Sequence, residues 1–144
     1  GVFTEAVGRT TYSRGSGTGG VSNLKFINGN GTVGTITTSG STTAYNTSSD
    51  YRLKENVVAM SGATERLKQL KPSRFNFIAD PNTTVDGFLA HEVQDIVPEA
   101  ISGTKDAVDA DGNPEYQGID QSKLVPLLVA TIQELEARIT QLES

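Results

Sequence analysis

Residues 47–56 read TSSDYRLKEN, and the chain changes character across them. Of the 48 residues that end at Ser48, 27 are Gly, Ser or Thr, and only Glu5, Arg9, Arg14 and Lys25 carry charge. The other 25 charged residues all stand from Asp50 onward. Too few large apolar side chains lie before Ser49 to remove much area from water, so that segment cannot build a core of its own. It needs other chains to pack against. The expected organisation is therefore a Gly/Thr-rich β segment over 1–48 and a separate folded domain over 49–144.

Upstream of the junction, NLKFING (23–29) and VGTITTSGSTTAYN (33–46) carry β-branched and aromatic residues in period-two order. NGNG (28–31) separates them, which is a hairpin signal: Asn and Gly take the positive φ that tight turns require. Residues 1–20 alternate small polar residues and glycines, and GRTTYSRGSGTGG (8–20) is close to low complexity. Two-stranded units of this kind are marginal alone in water, so the segment is expected to wrap against further copies of itself.

Downstream, the period changes. A helix is expected from Ser61, as N-cap, to about Leu70, stopped by Pro72. SRFNFIA (73–79) alternates Phe75, Phe77 and Ala79 on one face, a strand pattern. DPNTTVDG (80–87) reads as a turn-rich loop, and GFLAHEVQDIVPEAI (87–101) as a short strand passing into a helix that ends before Pro98. DAVDADGNPEYQGID (106–120) reads as two short strands about an Asp-Gly turn. The last 24 residues are helical from about 121 to 143, with Pro126 tolerable in the first turn. The fold class is α+β.

That final helix holds the most regular pattern. Val125, Leu128, Ile132, Leu135, Ile139 and Leu142 are spaced 3, 4, 3, 4, 3, a heptad seam flanked by Glu134, Glu136, Arg138 and Glu143. Such a stripe packs either on its own domain or against other copies as a coiled coil, and the charged flanks favour the coil. Burying six such side chains is worth on the order of 10 kcal/mol per chain before ordering entropy. β-Branched residues at one seam position with Leu at the other formally favour two strands over three, but a seam of about two and a half heptads carries little weight on strand number.

Composition narrows the function. With 12 Lys and Arg against 17 Asp and Glu, the net charge of −5 argues against nucleic acid, which calls for a basic face. No run of about 18 apolar residues predicts a membrane span. Without cysteine there is neither a disulfide framework nor a thiolate metal site. No metal, cofactor or small-molecule substrate is expected.

Few residues carry chemistry. Ser49 and Lys54 stand five apart, with Asp50 and Arg52 between them. A serine hydroxyl becomes a nucleophile when a base removes its proton, and a neutral lysine is one such base. An ordinary lysine amine, with pKa about 10.4, is neutral in fewer than about one molecule in a thousand near pH 7. Burial or a neighbouring cation such as Arg52 would raise that fraction. On spacing alone, the pair reads as a solvated turn and not as a catalytic dyad. His91, the sole histidine, reads as a partly buried helix residue, so no Ser-His-Asp triad can be assembled. Asp109, Asp111, Asn113 and Asp120 are reminiscent of a calcium loop, but Gly112 comes too early and a hairpin turn explains them.

Four blocks, SDYRLKENV (49–57), LKQLKPSRFNF (67–77), GFLAHEVQDIVPEA (87–100) and LVPLLVATIQELEARITQLE (124–143), lie in one order and spacing. In these the chain resembles the C-terminal intramolecular chaperone domain of bacteriophage tailspikes, tail fibres and neck appendages, the peptidase S74 family. His91 is the one departure, where glutamine is more usual. The resemblance implies a homotrimer that templates the folding of the upstream fibre and then cuts itself off between Ser48 and Ser49. Ser49 would be the nucleophile and Lys54 its general base, with Asp50 and Arg52 supporting the motif. It also implies the partners, which are two further copies and the upstream fibre, and the location: a virion tail fibre or appendage assembled in the host bacterial cytoplasm.

Overall fold

The computed structural model describes residues 3–4, 10–11 and 17–144. The chain divides into two compact units, Gly1–Val57 and Val58–Ser144. Most of residues 1–20 lie outside the described residues; among those described, β1 (Phe3–Thr4) pairs antiparallel with β2 (Thr10–Thr11).

The first unit is built on a three-stranded antiparallel meander of β3 (Val21–Asn28), β4 (Gly31–Ser39) and β5 (Thr42–Thr47). The β3–β4 turn falls at Gly29–Asn30, as the NGNG signal predicts, with the Asn28 carboxamide oxygen accepting from the Asn30 N–H at 2.9 Å. The stretch VGTITTSGSTTAYN (33–46) supplies two strands, folded at Gly40, whose φ of 54° is in the left-handed region. Among the described residues of this unit none is buried, and Tyr45 and Ile27 are largely exposed. The sheet lacks a core within one chain, as its composition dictates.

The second unit has a small core of Ala63, Val93, Val97, Ala100, Leu124 and Leu127. It gathers α1 (Ala63–Leu67), α2 (Ala90–Gln94) and α3 (Val125–Glu143). Between α1 and α2, β6 (Ser73–Phe77) pairs with β7 (Asp80–Gly87). Thus DPNTTVDG is not a loop but the return strand, and Gly87 ends it rather than opening a new one. Ala79 falls in the turn, while Phe75 and Phe77 share a face, their rings edge to face at 5.4 Å. The Asp-Gly turn forms as expected between β9 (Ala107–Val108) and β10 (Pro114–Glu115). A flanking pair, β8 (Ile101–Ser102) with β11 (Gly118–Ile119), was not legible in the pattern.

The start of α1 corrects another expectation. Ser61 does not cap it; the N-cap is Gly62 at φ 67°, one residue later than predicted, and its position carries no side-chain cap bond. Its orphan N–H groups are satisfied from a distance. The Glu134 carboxylate on α3 accepts from the Ala63 and Thr64 N–H groups at 2.8 Å each and from the Thr64 hydroxyl. Those bonds, the Thr64 hydroxyl first, hold the Glu134 carboxyl down at about 2. A carboxylate lowered on folding stabilises the fold above its ordinary range near pH 4.3, and that contribution is lost as pH falls towards 2. Glu134→Gln is therefore expected to lower the melting temperature at neutral pH and to flatten its fall between about pH 4.5 and 2. Circular dichroism melts across that range check both.

Helix α3 carries Pro126 in its first turn, where the missing N–H costs nothing. It presents two faces. Leu127 and Thr131, each only 2 % exposed, lie on its buried face together with Leu124 just before the helix, and α1 packs against α3. The six seam residues lie elsewhere, 43 to 87 % exposed. The stripe therefore does not serve as the helix's packing face on its own domain. Leu128 also borders an apolar groove of about 380 Å³ with Leu67, Leu70, Pro72, Phe88 and Leu124. Thr131 is buried, yet its hydroxyl finds no hydrogen-bond partner among the described residues. Removing an unpaired buried polar atom of similar shape is favourable, so Thr131→Val should raise stability by about 1 kcal/mol, read as a higher urea midpoint.

Candidate active site at the end of the sheet

The segment TSSDYRLKEN begins at Thr47, the last residue of β5. Ser48 continues the β4–β5 ladder by one residue, its N–H donating to the Val33 carbonyl at 3.1 Å. Its hydroxyl donates to the adjacent carbonyl of Thr32, also at 3.1 Å. The chain then leaves the sheet.

Asp50 shapes the path from there to Lys54. In extended conformation it caps a single 3-10 turn, Tyr51–Leu53, by accepting the Arg52 N–H at 2.9 Å. The same carboxylate takes the Arg52 guanidinium in a two-pronged pair, Nε at 2.9 Å and the terminal nitrogen at 2.8 Å. The Arg52 side chain, then its N–H, holds the Asp50 carboxyl below its ordinary range. Bonds from Leu53 N–H to the Asp50 carbonyl and from Lys54 N–H to the Tyr51 carbonyl, both 3.1 Å, close the turn. One turn of chain reverses direction just enough for the Lys54 side chain to reach back. Its Nζ donates to Ser49 Oγ at 2.8 Å.

The structure thus brings Ser49 and Lys54 together and gives Asp50 and Arg52 a local task that spacing alone did not reveal. The available signal was Asp50 itself, a residue type that caps turns by accepting an N–H two residues on. For Ser48 the resemblance implies only one side of the cut bond; its double anchorage depends on strand pairing. Ser48, Ser49, Asp50, Arg52 and Lys54 are all exposed in the single chain, and Arg52 directs its guanidinium to Asp50. Burial of the amine, one of the two conditions for activating it, is not supplied by one copy.

The other candidates belong to the second unit, Val58–Ser144. His91 is exposed on α2, not partly buried. Asp109 accepts from the N–H groups of Asp111 and Asn113 and from the Asn113 carboxamide, so the hairpin turn uses up its carboxylate. Asp120 instead caps the turn leading into α3 through the Ser122 N–H and hydroxyl. Among the described residues no cluster of three or more His, Cys, Asp or Glu side chains could hold a metal ion.

A Ser–Lys contact directly after a Gly/Thr-rich sheet is the arrangement the sequence resemblance implied. Residues 49–102 match the Peptidase_S74 family, chaperone of endosialidase. The matched S74 segment begins at the candidate nucleophile and runs through α2 to the end of β8. It supports a chaperone function for this region, and the family name suggests a self-cleaving peptidase. No curated protein matches the chain.

Proposed function

We propose that the chain is an intramolecular chaperone of a phage tail fibre or tailspike, which trimerises, templates the β segment before Ser49, and then releases itself by cutting the Ser48–Ser49 bond. The observation that carries this reading is the 2.8 Å contact between Lys54 Nζ and Ser49 Oγ, two residues past the end of β5.

The reaction follows from connectivity. With the amine neutral, Lys54 takes the Ser49 hydroxyl proton, and the alkoxide adds to the Ser48 carbonyl carbon through a five-membered ring. The tetrahedral oxyanion collapses, the Ser48 C–Ser49 N bond breaks, and the nitrogen takes the proton back from Lys54. The product is an ester joining the Ser48 acyl group to Ser49 Oγ, with a free Ser49 amine. Water then adds to the ester, leaving the Ser48 carboxylate and the Ser49 hydroxyl. Direct hydrolysis consumes the same single water.

The physical logic is kinetic. Registering three Thr- and Gly-rich strands is entropically costly and rich in non-local contacts, hence slow. A helical domain that associates first raises the local concentration of those strands. The exposed seam on α3 supplies an apolar surface for that association, and it fits a coiled coil between copies. Removing the chaperone afterwards leaves the fibre protected by slow unfolding. Assembly also offers Lys54 the burial that one chain lacks. In this reading the fibre stays on the virion and the chaperone part is shed in the host cytoplasm.

The exposure of the pair favours one competitor, a structural trimerisation tip that never cuts. A denaturing gel separates the two. Self-cleavage yields pieces of 48 and 96 residues from the 144, whereas the tip stays whole.

A further inference from the structure

The hydrogen bonds of Ser48 do more than extend a strand. Two donors of one residue reach two successive carbonyls at the start of β4, N–H to Val33 and Oγ to Thr32, at 3.1 Å each. They fix the nitrogen and the Cβ of Ser48, leaving rotation about its Cα–C bond as the main freedom of its carbonyl. Beyond the bond, Ser49 Oγ is held by Lys54 at 2.8 Å, and Lys54 is set by the turn that Asp50 caps. The peptide between Ser48 and Ser49 is thereby spanned between two anchors, one in the sheet and one in the turn.

Resting on the reading that this bond is cut, we infer that Ser48 is a positioning residue which makes cleavage depend on completion of the β4–β5 ladder. The last paired residues of that ladder are Gly34 and Thr47. Only when they are in register do the Thr32 and Val33 carbonyls lie where Ser48 can reach them. An unzipped sheet end lets the Ser48 carbonyl wander relative to the Ser49 hydroxyl, and an attack geometry loose by about 1 Å can cost about 100-fold in rate. The bond thus senses whether the strand before it has been paired, and an unfinished sheet is cut slowly.

The test compares wild type, Ser48→Ala and Ser48→Thr by the first-order rate of self-cleavage, followed by intact mass across a range of pH. Ser48→Ala keeps the N–H anchor and loses the hydroxyl, so its rate is expected to fall on the order of 10-fold. Ser48→Thr restores the hydroxyl and should recover most of that loss. Because the Lys54–Ser49 contact is untouched, the shape of the pH profile should be the same in all three, and light scattering should report one assembly state. Equal rates in wild type and Ser48→Ala, or a Thr variant as slow as Ala, would overturn the inference. Wild-type protein that never cleaves would instead remove the reading on which it rests.

Discussion

Ser49→Ala and Lys54→Ala proteins are expected to remain full length under conditions that split the wild-type chain in two. Ser49→Ala removes the only oxygen that forms the five-membered ring with the Ser48 carbonyl, so cleavage should vanish. Lys54→Ala leaves the hydroxyl in place but takes away the group 2.8 Å from it; loss of a positioned base costs about 10²- to 10⁴-fold. Neither residue lies on the α3 seam, and both are exposed. The variants should therefore fold and associate like wild type, which light scattering would show beside the gel. Cleavage of Ser49→Ala at the wild-type rate would mean that another group attacks.

The second large effect concerns assembly. If copies associate through this seam as proposed, Ile132→Glu or Leu135→Lys is expected to leave the protein monomeric and to abolish self-cleavage. Each places a charge on the exposed seam, away from the inward face of Leu124, Leu127 and Thr131, so the protomer core is left intact. In an assembled coil the charge would lose its water in every copy at once, at several kcal/mol per ion. If assembly is what buries the Ser49–Lys54 pair, monomers should also be inert. Light scattering gives the mass and a gel the cleavage. A monomer that cuts itself efficiently would uncouple the two.

What could be read from the sequence was what depends on neighbours along the chain. The NGNG turn, the Phe75–Phe77 alternation, the Asp-Gly hairpin and the long last helix rest on residues a few positions apart, and all appear. The six-residue stripe was likewise legible, and the structure leaves it outside the chain's own core. Where contacts are distant, the pattern misled. Glu134 looked like a solvated flank of the seam, yet it caps α1 across 71 residues, and nothing in the local sequence marks that. Ser61 looked like the cap because Ser commonly is one, but Gly62 at positive φ turns the chain and Glu134 supplies the acceptor. DPNTTVDG has the composition of a loop, and only its partner SRFNF makes it a strand.

The site divides along the same line. Ser49 and Lys54 were singled out from a five-residue spacing and a family resemblance, and they meet because Asp50 and Arg52 close one turn between them. The part played by Ser48 was invisible, since its partners Thr32 and Val33 stand 16 and 15 residues back on another strand.

The most direct test is the intact-mass spectrum of purified wild-type protein followed over time. Self-release predicts that the full-length mass gives way to two species, one ending at Ser48 and one beginning with Ser49, together heavier than the parent by one water. A full-length mass that persists through prolonged incubation, or a cut at any other bond, would contradict it.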